Sequence, residues 1–537
     1  MELSQLASRL RELPDQTIIY HERGGLVRKS YPEMWADVER FIARLEAWGV
    51  EPGMRLGIVA ENCYEWLLYE LAVLKLGCVS VCFPTEEFAS VATDDLAEKY
   101  ALHLLFVSAK ARSQRSEERT WIVVLDRDDE VARRVRHPVG ERSETNRDIF
   151  SLDPDVFTLV FSSGTSGKLK CILLSKRGTE EMITAFGKHY AFKSDDGIFV
   201  VLPLSNYQQR LMVYTAIWHG FDLLLTDPLR FFHGLKEMRP TILGGPPMFF
   251  ETVENRFRSL PPTKRALLTV GGRIIHALRP AAARGYLLRK WFAPFHDAFG
   301  GRIRIMLTGS APSRHSTLEL FDLLGLPLYQ AYGLTETGGF VSWNLPERNR
   351  PGSVGKLLFE GAVKLADDGE VIVRYDVPRS HGYLYCDEDD ERQTYLSDNR
   401  IATGDIGRFD EDGYLYIVGR KKQIIITQGG YKIQPESLER EIEQAPDVAR
   451  AVVFGGGELT GLVALVALRP ESDGQAELRV RALVDELNHA VPAPSQIGRV
   501  VFTTTQFRVD NGFLTRNLKV DRRAVYEAFR QALVGAG

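Results

Sequence analysis

Near the start of the chain, apolar residues recur at helical spacing in some segments and form short strand-like runs in others. A helical spacing of three and four residues relates one set of side chains: Trp35, Val38, Phe41, Ile42 and Leu45. Gly49 follows where such a helix would end, and short apolar runs at 56–60 and 79–83 indicate strands on either side of a second apolar helix at 65–76. Because helices alternate with strands, this region predicts a mainly parallel sheet covered by helices.

The same alternation returns further along the chain. Five more short apolar runs predict strands: 157–161, 198–202, 222–225, 241–243 and 303–307. Residues 112–146 are charged and weakly periodic, so we expect them to form surface connections and short elements rather than core.

The pattern changes after about residue 345. Short strand-like runs are separated by turn signals at 366–369 and 410–413, which predicts a β-rich subdomain at about 345–421. Beyond it, four elements of an α+β domain are expected: a helix at 435–444, strands at 451–454 and 461–468, and a helix at 477–490. The predicted fold class is α/β, with a large N-terminal body at 1–421 and a small, mobile α+β C-terminal domain at 422–537.

Length, composition and charge narrow the classes of function. The 537 residues are too many for one ordinary core, and a net charge of −4 with a pI near 6.3 argues against a nucleic-acid partner. The apolar stretch 67–83 is interrupted by Glu70 and Lys75, so no transmembrane segment is predicted. The five cysteines include no CxxC pair, and the charged N-terminus lacks a secretory core, so we expect a cytoplasmic protein.

The strongest chemical signal is a strand that leads into a loop of small, hydroxylated and basic residues. Glycines allow backbone N–H groups to wrap phosphate oxygens closely, while hydroxyls and lysines add donors and charge. The loop is not a Walker motif, because only two residues separate its glycines. Its candidate phosphate ligands are Ser162, Ser163, Gly164, Thr165, Ser166, Gly167, Lys168 and Lys170.

Two further segments add candidate ligands. The first, 331–337 (AYGLTET), follows a predicted turn at 308–312; it carries Glu336, whose hard oxygens suit magnesium, and Tyr332, whose flat ring suits a purine. The second comprises Thr403-Gly404-Asp405 and the basic run 419–422. Its carboxylate is suited to both hydroxyls of a ribose, and its arginine, Arg420, to sugar or phosphate.

Together these segments resemble the adenylate-forming superfamily of acyl-CoA synthetases, peptide-synthetase adenylation domains and luciferases. The likeness spans nearly the whole chain and is greatest to long-chain fatty acyl-CoA synthetases. Three stretches resemble that group: 202–210 (LPLSNYQQR) its LPLAHxxER, 239–247 (RPTILGGPP) its substrate-tunnel segment, and 511–519 (NGFLTRNLK) its NGLLTPTLK ending.

The resemblance implies a role for each matching residue. Residues 162–170 would hold the β- and γ-phosphates, and Thr335 would contact the α-phosphate. The adenine would be framed by Gly309, Ser310, Ala311, Tyr332 and Gly333, the ribose bound by Asp405 and Arg420, and the metal bound by Thr165 and Glu336. Lys422 would be the hinge, and Gly429 and Gly430 would line the CoA channel. The acyl pocket would be lined by Asn206, Tyr207, Gly244, Gly245 and Pro246. Lys519, with Thr335 and Glu336, would be catalytic, because a lysine can neutralise charge as the acyl carboxylate attacks the α-phosphate.

The sequence departs from the family pattern at several positions. Leu169 and Cys171 stand where the family usually has proline and glycine, and Asn206 replaces a frequent aromatic or histidine residue. Shorter relatives place their catalytic lysine where this chain has Asn517, whereas Lys519 fits the long-chain pattern. Both registers stay open at this point, as does the choice between a full reaction and a single half-reaction.

The implied function is an ATP-dependent acyl-CoA synthetase of fatty acid metabolism. It would adenylate a long or bulky hydrophobic acid, release pyrophosphate, and pass the acyl group to CoA, with ATP, Mg²⁺ and CoA as cofactor and co-substrates and with domain alternation between the two steps. The alternatives are a ligase that loads a carrier-protein phosphopantetheine, a silent scaffold or nucleotide sensor, and a luciferase-like oxygenase that starts from the same adenylate.

Overall fold

The structure is a computed structural model of the 537-residue chain. It describes residues 1–22, 24–88, 90–108, 111, 121–125, 135–136, 149–163, 169–278, 281–426, 431–459, 461–515 and 520–535.

Sheet A is the largest of the three sheets formed by the described residues of the body. Among the described residues it has nine strands, in the spatial order Lys356–Leu357, Gly339–Trp343, Leu328–Leu334, Ile305–Thr308, Ile242–Gly245, Gly197–Val200, Asp222–Leu225, Thr17–Glu22 and Gly25–Ser30. The strands from Leu328–Leu334 to Thr17–Glu22 run parallel, and the outer strands on both sides are antiparallel. The prediction of mainly parallel sheets is confirmed here.

Sheet B contains the strand that leads into the predicted phosphate loop. Its seven described strands lie in the order Ser380–Leu384, Leu169–Ser175, Val156–Ser163, Val79–Cys82, Arg55–Val59, Leu104–Val107 and Ile122–Val124. Leu169–Ser175 is antiparallel to both of its neighbours, Ser380–Leu384 and Val156–Ser163, and the remaining pairs of neighbours are parallel. The expectation that 112–146 lies outside the core is wrong for Ile122–Val124, whose three residues are buried because they pair with Leu104–Val107.

The helices of the body begin and end at recognisable signals. The helix Tyr31–Ala47 starts with a capping box, in which Ser30 and Glu33 bond each other's backbone N–H groups, and Gly49 beyond its end has φ +85°. The described helices of the body are Leu6–Arg9, Tyr31–Ala47, Tyr64–Lys75, Thr85–Phe88, Thr93–Lys99, Lys176–His189, Tyr207–His219, Phe231–Met238, Pro247–Arg258, Pro262–His276, Ala281–Trp291, Ala293–Ala298, His315–Leu324 and Glu388–Thr394.

Two of these helices are buried almost throughout, because they form the layer where the sheets meet. Tyr64–Lys75 and Tyr207–His219 contact each other through Arg210 Nη1 and Glu70 Oε1 at 3.0 Å. Arg210 Nη1 also donates to Thr158 Oγ1 of sheet B at 2.8 Å, while its helix packs on strands of sheet A. The main core of the body therefore lies between the two sheets.

The predicted β-rich subdomain forms sheet C. Its described strands are Val363–Leu365, Glu370–Arg374, Tyr395–Leu396, Arg400–Phe409 and Leu415–Arg420. The two predicted turns form hairpins, and Gly369 and Gly413 in them have φ of +83° and +79°. Two strands from the same stretch leave the subdomain, since Lys356–Leu357 joins sheet A and Ser380–Leu384 joins sheet B.

The C-terminal domain is a small α+β unit. Its described elements are the strand pair Ile425–Ile426 and Lys432–Ile433, the helices Pro435–Ile442, Ala476–Ala490 and Arg522–Val534, and a sheet of Val448–Phe454, Leu462–Leu468 and Ile497–Thr503. The predicted α/β body with a smaller C-terminal domain is confirmed. Among the described residues, none of the helices combines the length and apolar character needed to cross a bilayer.

Candidate active site

The candidate site lies at one edge of sheet A, where three parallel strands end side by side. The register pairs Gly244 with Leu307, Gly245 with Thr308, and Thr308 with Gln330. The residues that follow the first two strands, including Pro246 and Gly309 to Ala311, therefore leave the sheet at the same edge, next to Tyr332 in the third strand. In open α/β sheets this edge is the usual place for a ligand crevice.

Backbone shape at this edge explains two of the predicted residues. Ser310 has φ +67°, a left-handed conformation that side chains rarely adopt, directly after the strand Ile305–Thr308. The ladder between Leu328–Leu334 and Gly339–Trp343 shifts register between Tyr332 and Gly333. A Cβ at Gly333 would collide with the carbonyl of Gly339, so this bulge requires glycine.

Tyr332, Asp405 and Arg420 form one hydrogen-bonded chain. The Tyr332 hydroxyl donates to Asp405 Oδ2 at 2.8 Å, and Arg420 Nε contacts Asp405 Oδ1 at 2.7 Å. The hairpin of sheet C pairs Asp405 with Arg420 in register, so both are held by backbone pairing. Burial, followed by the nearby Asp405 charge, raises the pKa of Tyr332 well above its usual value, so the hydroxyl stays a donor.

Glu336 links the edge of sheet A to sheet B. Tyr383, on the strand Ser380–Leu384, donates its hydroxyl to Glu336 Oε1 at 2.9 Å, and Ser380 Oγ donates to the Glu336 carbonyl at 2.5 Å. Burial, followed by the Glu336 charge, raises the pKa of Tyr383. The neighbouring Thr335 accepts from Gln208 Nε2 at 3.5 Å, a long hydrogen bond. The structure thus brings Thr335 and Glu336 to the space between the sheets.

The predicted phosphate loop and the predicted hinge share a carboxylate. Lys170 Nζ lies 3.1 Å from Asp390 Oδ2, and Lys422 Nζ lies 3.5 Å from Asp390 Oδ1. Partial burial raises the pKa of Asp390, but hydrogen bonding and charge from Lys170, with Lys422, lower it overall. Lys170 Nζ also lies 4.7 Å from the centre of the Tyr383 ring, which places it beside the partner of Glu336.

The loop itself lies mostly outside the described residues. Ser162 pairs with Lys170 and Ser163 with Leu169, so the hairpin of sheet B leads directly to it. The other predicted residues outside the described part are Gly164, Thr165, Ser166, Gly167, Lys168, Gly429, Gly430, Asn517 and Lys519. Their roles stay predictions.

The predicted acyl-pocket residues fall on two adjacent elements. Asn206 directly precedes the helix Tyr207–His219, and Met212 of that helix lies against Gly244 at the end of its strand. Tyr207 is buried, and its hydroxyl hydrogen-bonds Thr179 Oγ1 at 2.7 Å. Burial raises the pKa of Tyr207 to about 12. Tyr207 therefore packs in the core while Asn206 stays partly exposed at the helix start.

Sequence reasoning missed three residues of this site: Gln208, Tyr383 and Asp390. Tyr383 lies in an ordinary alternating strand, and Asp390 lies within an acidic run that resembles a solvated helix start. Gln208 was part of a motif match, yet nothing in the pattern indicated its contact with Thr335. Tyr383 is 47 positions from Glu336, Gln208 is 127 from Thr335 and Asp390 is 220 from Lys170, so only the fold identifies these contacts.

Comparison with known proteins identifies the family of the chain. The family model described as "AMP-binding enzyme" matches residues 6–395, and the model "AMP-binding enzyme C-terminal domain" matches residues 422–535. The chain belongs to the AMP-binding enzyme family. Asp405 and Arg420 of this AMP-binding enzyme lie in the segment between the two matches.

Similar proteins include several named CoA ligases. The long-chain-fatty-acid–CoA ligase FadD15 of Mycobacterium tuberculosis is 28% identical, over 90% of this chain and 87% of that protein. The 2-succinylbenzoate–CoA ligase of Oceanobacillus iheyensis is 26% identical, over 86% of this chain and 88% of that protein.

Solved structures share the fold of this AMP-binding enzyme. The anthranilate CoA ligase AuaEII in complex with anthranoyl-AMP has a TM-score of 0.72 at 18% identity, over 98% of this chain and 97% of that chain. The adenylation domain of a carboxylate reductase from Mycobacterium chelonae has a TM-score of 0.71 at 18% identity, over 99% and 90%.

Proposed function

We propose that this chain is an ATP-dependent acyl-CoA synthetase for a hydrophobic, long-chain or bulky carboxylic acid. It first adenylates the acid and releases pyrophosphate, and it then transfers the acyl group to CoA and releases AMP. Similarity to named CoA ligases over nine-tenths of the chain supports this proposal. The observation that carries it is the hydrogen-bonded chain of the buried Tyr332 and Asp405 with the partly exposed Arg420, at the edge where three parallel strands end.

In this proposal the nucleoside binds at the edge of sheet A. Gly309, Ser310 and Ala311 with Tyr332 and Gly333 frame the adenine, because their backbone lies where the strands end. Asp405 accepts hydrogen bonds from the ribose hydroxyls, and Arg420 holds the Asp405 carboxylate and the sugar in place. A carboxylate already fixed by two donors needs little reorganisation when a ligand arrives, which favours binding.

The phosphates bind between the hairpin of sheet B and the turn that carries Thr335. Residues 162–170 bind the β- and γ-phosphates and Thr335 the α-phosphate. The described residues fit a magnesium ion, because Glu336 offers a carboxylate oriented by the Tyr383 hydroxyl, and Thr165 is the second expected contact. When bound, the ion supplies positive charge that screens the phosphates from the attacking carboxylate.

The C-terminal domain completes the reaction by turning about Lys422. Adenylation needs a cation near the bridging oxygen, which we assign to Lys519, with the Asn517 register as the alternative. The turn separates Lys422 from Asp390, which leaves this carboxylate to Lys170 alone. Gly429 or Gly430 then lines the channel that admits the pantetheine of CoA.

The acyl acceptor has one competing assignment. The second candidate is the phosphopantetheine of a carrier protein, because its thiol can attack the same acyl-adenylate as the thiol of CoA. Both acceptors end in the same phosphopantetheine thiol. They differ in the group that carries the phosphopantetheine, which is a nucleotide in CoA and a protein in the carrier. Supplying CoA and a phosphopantetheinylated carrier in parallel identifies the acceptor by which of them becomes acylated.

The test is acid-dependent exchange of labelled pyrophosphate into ATP, across a panel of carboxylic acids. We expect exchange with long-chain acids and about a thousandfold loss, equivalent to ~3–4 kcal/mol, in Lys519→Ala. Unchanged exchange in Lys519→Ala together with increased exchange in Asn517→Lys would identify the shorter register instead. Absence of exchange with every acid, while the chain still binds ATP, would support a nucleotide sensor or scaffold. Acylation of CoA only from added acyl-adenylate would identify a single half-reaction.

A further inference from the structure

Two consecutive helices pack on the outside of the body. Pro262–His276 and Ala281–Trp291, which we call the outer hairpin, contact each other, and the first also contacts the helix His315–Leu324. Leu268 and Ile275 from the first helix and Leu288 from the second pack into the core cluster of sheet A. The outer hairpin is therefore anchored to the body by an inner apolar face.

The outer hairpin also has an apolar face turned to solvent. Leu267, Val270, Ile274 and Leu278, which we call the apolar stripe, are between 41% and 62% exposed. The spacing of Leu267, Val270 and Ile274 places them within about 60° of one another around the helix axis, and Leu278 follows two residues beyond the end of the helix. A helix that is anchored on one side needs only that side to be apolar, so the second stripe has no role in the core.

The second helix adds exposed aromatic and aliphatic side chains. Tyr286, Leu287 and Trp291 are each more than a third exposed. Trp291 is partly held, because its Nε1 donates to the Leu268 carbonyl at 3.3 Å. Tyrosine and tryptophan with one apolar and one polar side prefer the boundary between a bilayer and water.

The outer hairpin and the residues next to it carry positive charge only. Residues 255–296 contain nine lysines and arginines and no aspartate or glutamate, in a chain whose net charge is −4. Lys264 and Arg273 project on opposite sides of the apolar stripe and are exposed, as are Arg289 and Lys290 on the second helix. Lys290 Nζ lies 4.8 Å from the centre of the Tyr286 ring. Apolar groups flanked by cations match an anionic lipid surface, in which tails and phosphates lie at different depths.

We propose that the outer hairpin docks the protein on a bilayer that carries anionic lipids. The apolar stripe enters the headgroup region, while Lys264 and Arg273 contact lipid phosphates on either side. The hairpin follows directly after the helix Pro247–Arg258, which begins at the predicted acyl-pocket residues Gly244 to Pro246. Docking then places one 12-residue helix, about 18 Å long, between the hairpin that contacts the bilayer and the acyl-pocket segment.

The experiment measures binding of the full chain to vesicles without any substrate, so its outcome is independent of the proposed reaction. Vesicles of phosphatidylcholine alone and of phosphatidylcholine with phosphatidylglycerol are compared by co-sedimentation. We expect tighter binding to the anionic vesicles, weakened by salt. Leu267→Ser with Ile274→Ser should weaken binding by tenfold or more, and Lys264→Gln and Arg273→Gln by about fivefold each.

Matched controls lie elsewhere on the chain. Leu478→Ser removes an equally exposed leucine from the helix Ala476–Ala490, and Arg523→Gln removes an exposed cation near the end of the chain. Neither should change vesicle binding, and circular dichroism should show that all variants fold. Equal binding to both vesicle types, or equal losses in the controls, would overturn the proposal. So would a wild-type dimer that Leu267→Ser dissociates and that ignores vesicles, because a second copy would then cover the stripe.

Discussion

Two clusters of charged side chains use the same chemistry in different surroundings. The body cluster consists of Glu70, Arg210, Tyr214 and Thr158, inside the layer between the sheets. Arg210 Nη1 lies 3.0 Å from Glu70 Oε1 and 2.8 Å from Thr158 Oγ1, and Tyr214 donates its hydroxyl to Glu70. Glu70 and Arg210 are each 1% exposed, so no solvent separates these charges.

The interface cluster joins the body to the C-terminal domain. It consists of Glu251 and Arg314 from the body with Glu443 and Arg450 from the C-terminal domain. Arg450 Nη2 lies 3.1 Å from Glu251, while the contacts of Arg314 with the two glutamates are 3.8 and 3.7 Å. The Arg450 and Glu443 side chains keep 20% and 12% of their surface exposed, whereas Glu251 and Arg314 are buried on the body side.

The difference shows which charges are fixed and which can exchange. A buried pair with short contacts leaves an uncompensated charge when one partner is lost, and this is costly. A longer, partly hydrated pair exchanges its partner for water at small cost. We therefore expect the body cluster to hold the layer between the sheets rigidly, while the interface cluster lets the C-terminal domain undock.

The largest effect is expected from breaking the body cluster. Arg210→Met leaves the Glu70 carboxylate buried without its cation, and should lower the free energy of unfolding by about 3–5 kcal/mol. Urea titration of the intact chain measures this. The double variant Glu70→Gln with Arg210→Met should recover much of the loss, because no charge then remains. An equal loss in the single and double variants would contradict the account.

Asp405 carries a buried charge that also takes part in the proposed reaction. Asp405→Asn keeps the shape but removes the carboxylate from Arg420 and from the ribose. We expect exchange of pyrophosphate into ATP to fall by about a hundred- to a thousandfold, or ~3–4 kcal/mol. Asp368→Asn is the matched control, because Asp368 pairs with Lys421 at 2.7 Å nearby but is well exposed. A similar loss in both variants would contradict the assignment of Asp405.

Asp155 is a buried carboxylate whose contribution to stability should depend on pH. Burial alone raises its pKa, but hydrogen bonds from His381, Ser175 and the Arg177 backbone lower the pKa to about 2. Since the pKa is about 3.9 in the unfolded chain, Asp155 stabilises the fold by about 2 kcal/mol above pH ~5.

This stabilisation is lost as the pH falls through 4 towards about 2, where both states bind the proton. Urea titrations at several pH values should therefore show Asp155→Asn to be less stable than the wild type at neutral pH, with the difference shrinking in acid. A difference that does not depend on pH would mean that the carboxylate acts only by its shape.

A smaller effect is expected at the interface cluster. Arg450→Met should favour the undocked state of the C-terminal domain by about 1 kcal/mol, since Arg450 is partly exposed and Arg314 still lies 3.8 Å from the buried Glu251. Small-angle X-ray scattering reports the undocked fraction through the radius of gyration. Added salt should mimic the variant, whereas it should leave the body cluster unchanged. If salt and variant both leave the scattering unchanged, apolar contacts rather than these charges hold the domain.

The smallest effect is expected for an exposed pair on a helix. Arg392 Nη2 lies 2.7 Å from Glu388, but 75% and 53% of the two side chains are exposed. Arg392→Gln should change the free energy of unfolding by less than about 0.5 kcal/mol, because water screens both charges. The same urea titration measures this change. A loss as large as that of Arg210→Met would mean that distance alone, and not burial, determines the effect.

Local sequence signals predicted much of the fold. The turns at Gly369 and Gly413 need a positive φ that glycine adopts without strain, and both hairpins form there. Ser30 and Glu33 form the cap that starts the helix Tyr31–Ala47, and the strand Asp222–Leu225 has the predicted bounds. These features depend on residues a few positions apart, so the pattern is sufficient to find them.

Contacts between distant segments could not be predicted in this way. The acidic run at Asp390 resembles a solvated helix start, yet Lys170 and Lys422 both lie against it. The strand Ser380–Leu384 reads as part of the β-rich subdomain, but it pairs with Leu169–Ser175 of sheet B. Ile122–Val124 is flanked by charged residues, and only its pairing partner makes it core.

The sequence by itself determined the α/β class, the order of the segments and the residue types able to bind a nucleotide. Tertiary structure decided which of these side chains meet: Tyr332 with Asp405, Glu336 with Tyr383, and two lysines with Asp390. The physical reason is the separation along the chain of the residues that interact. Helix and strand preferences arise from neighbours along the chain, whereas hydrogen bonds and ion pairs need atoms within a few ångströms, whatever the distance along the sequence.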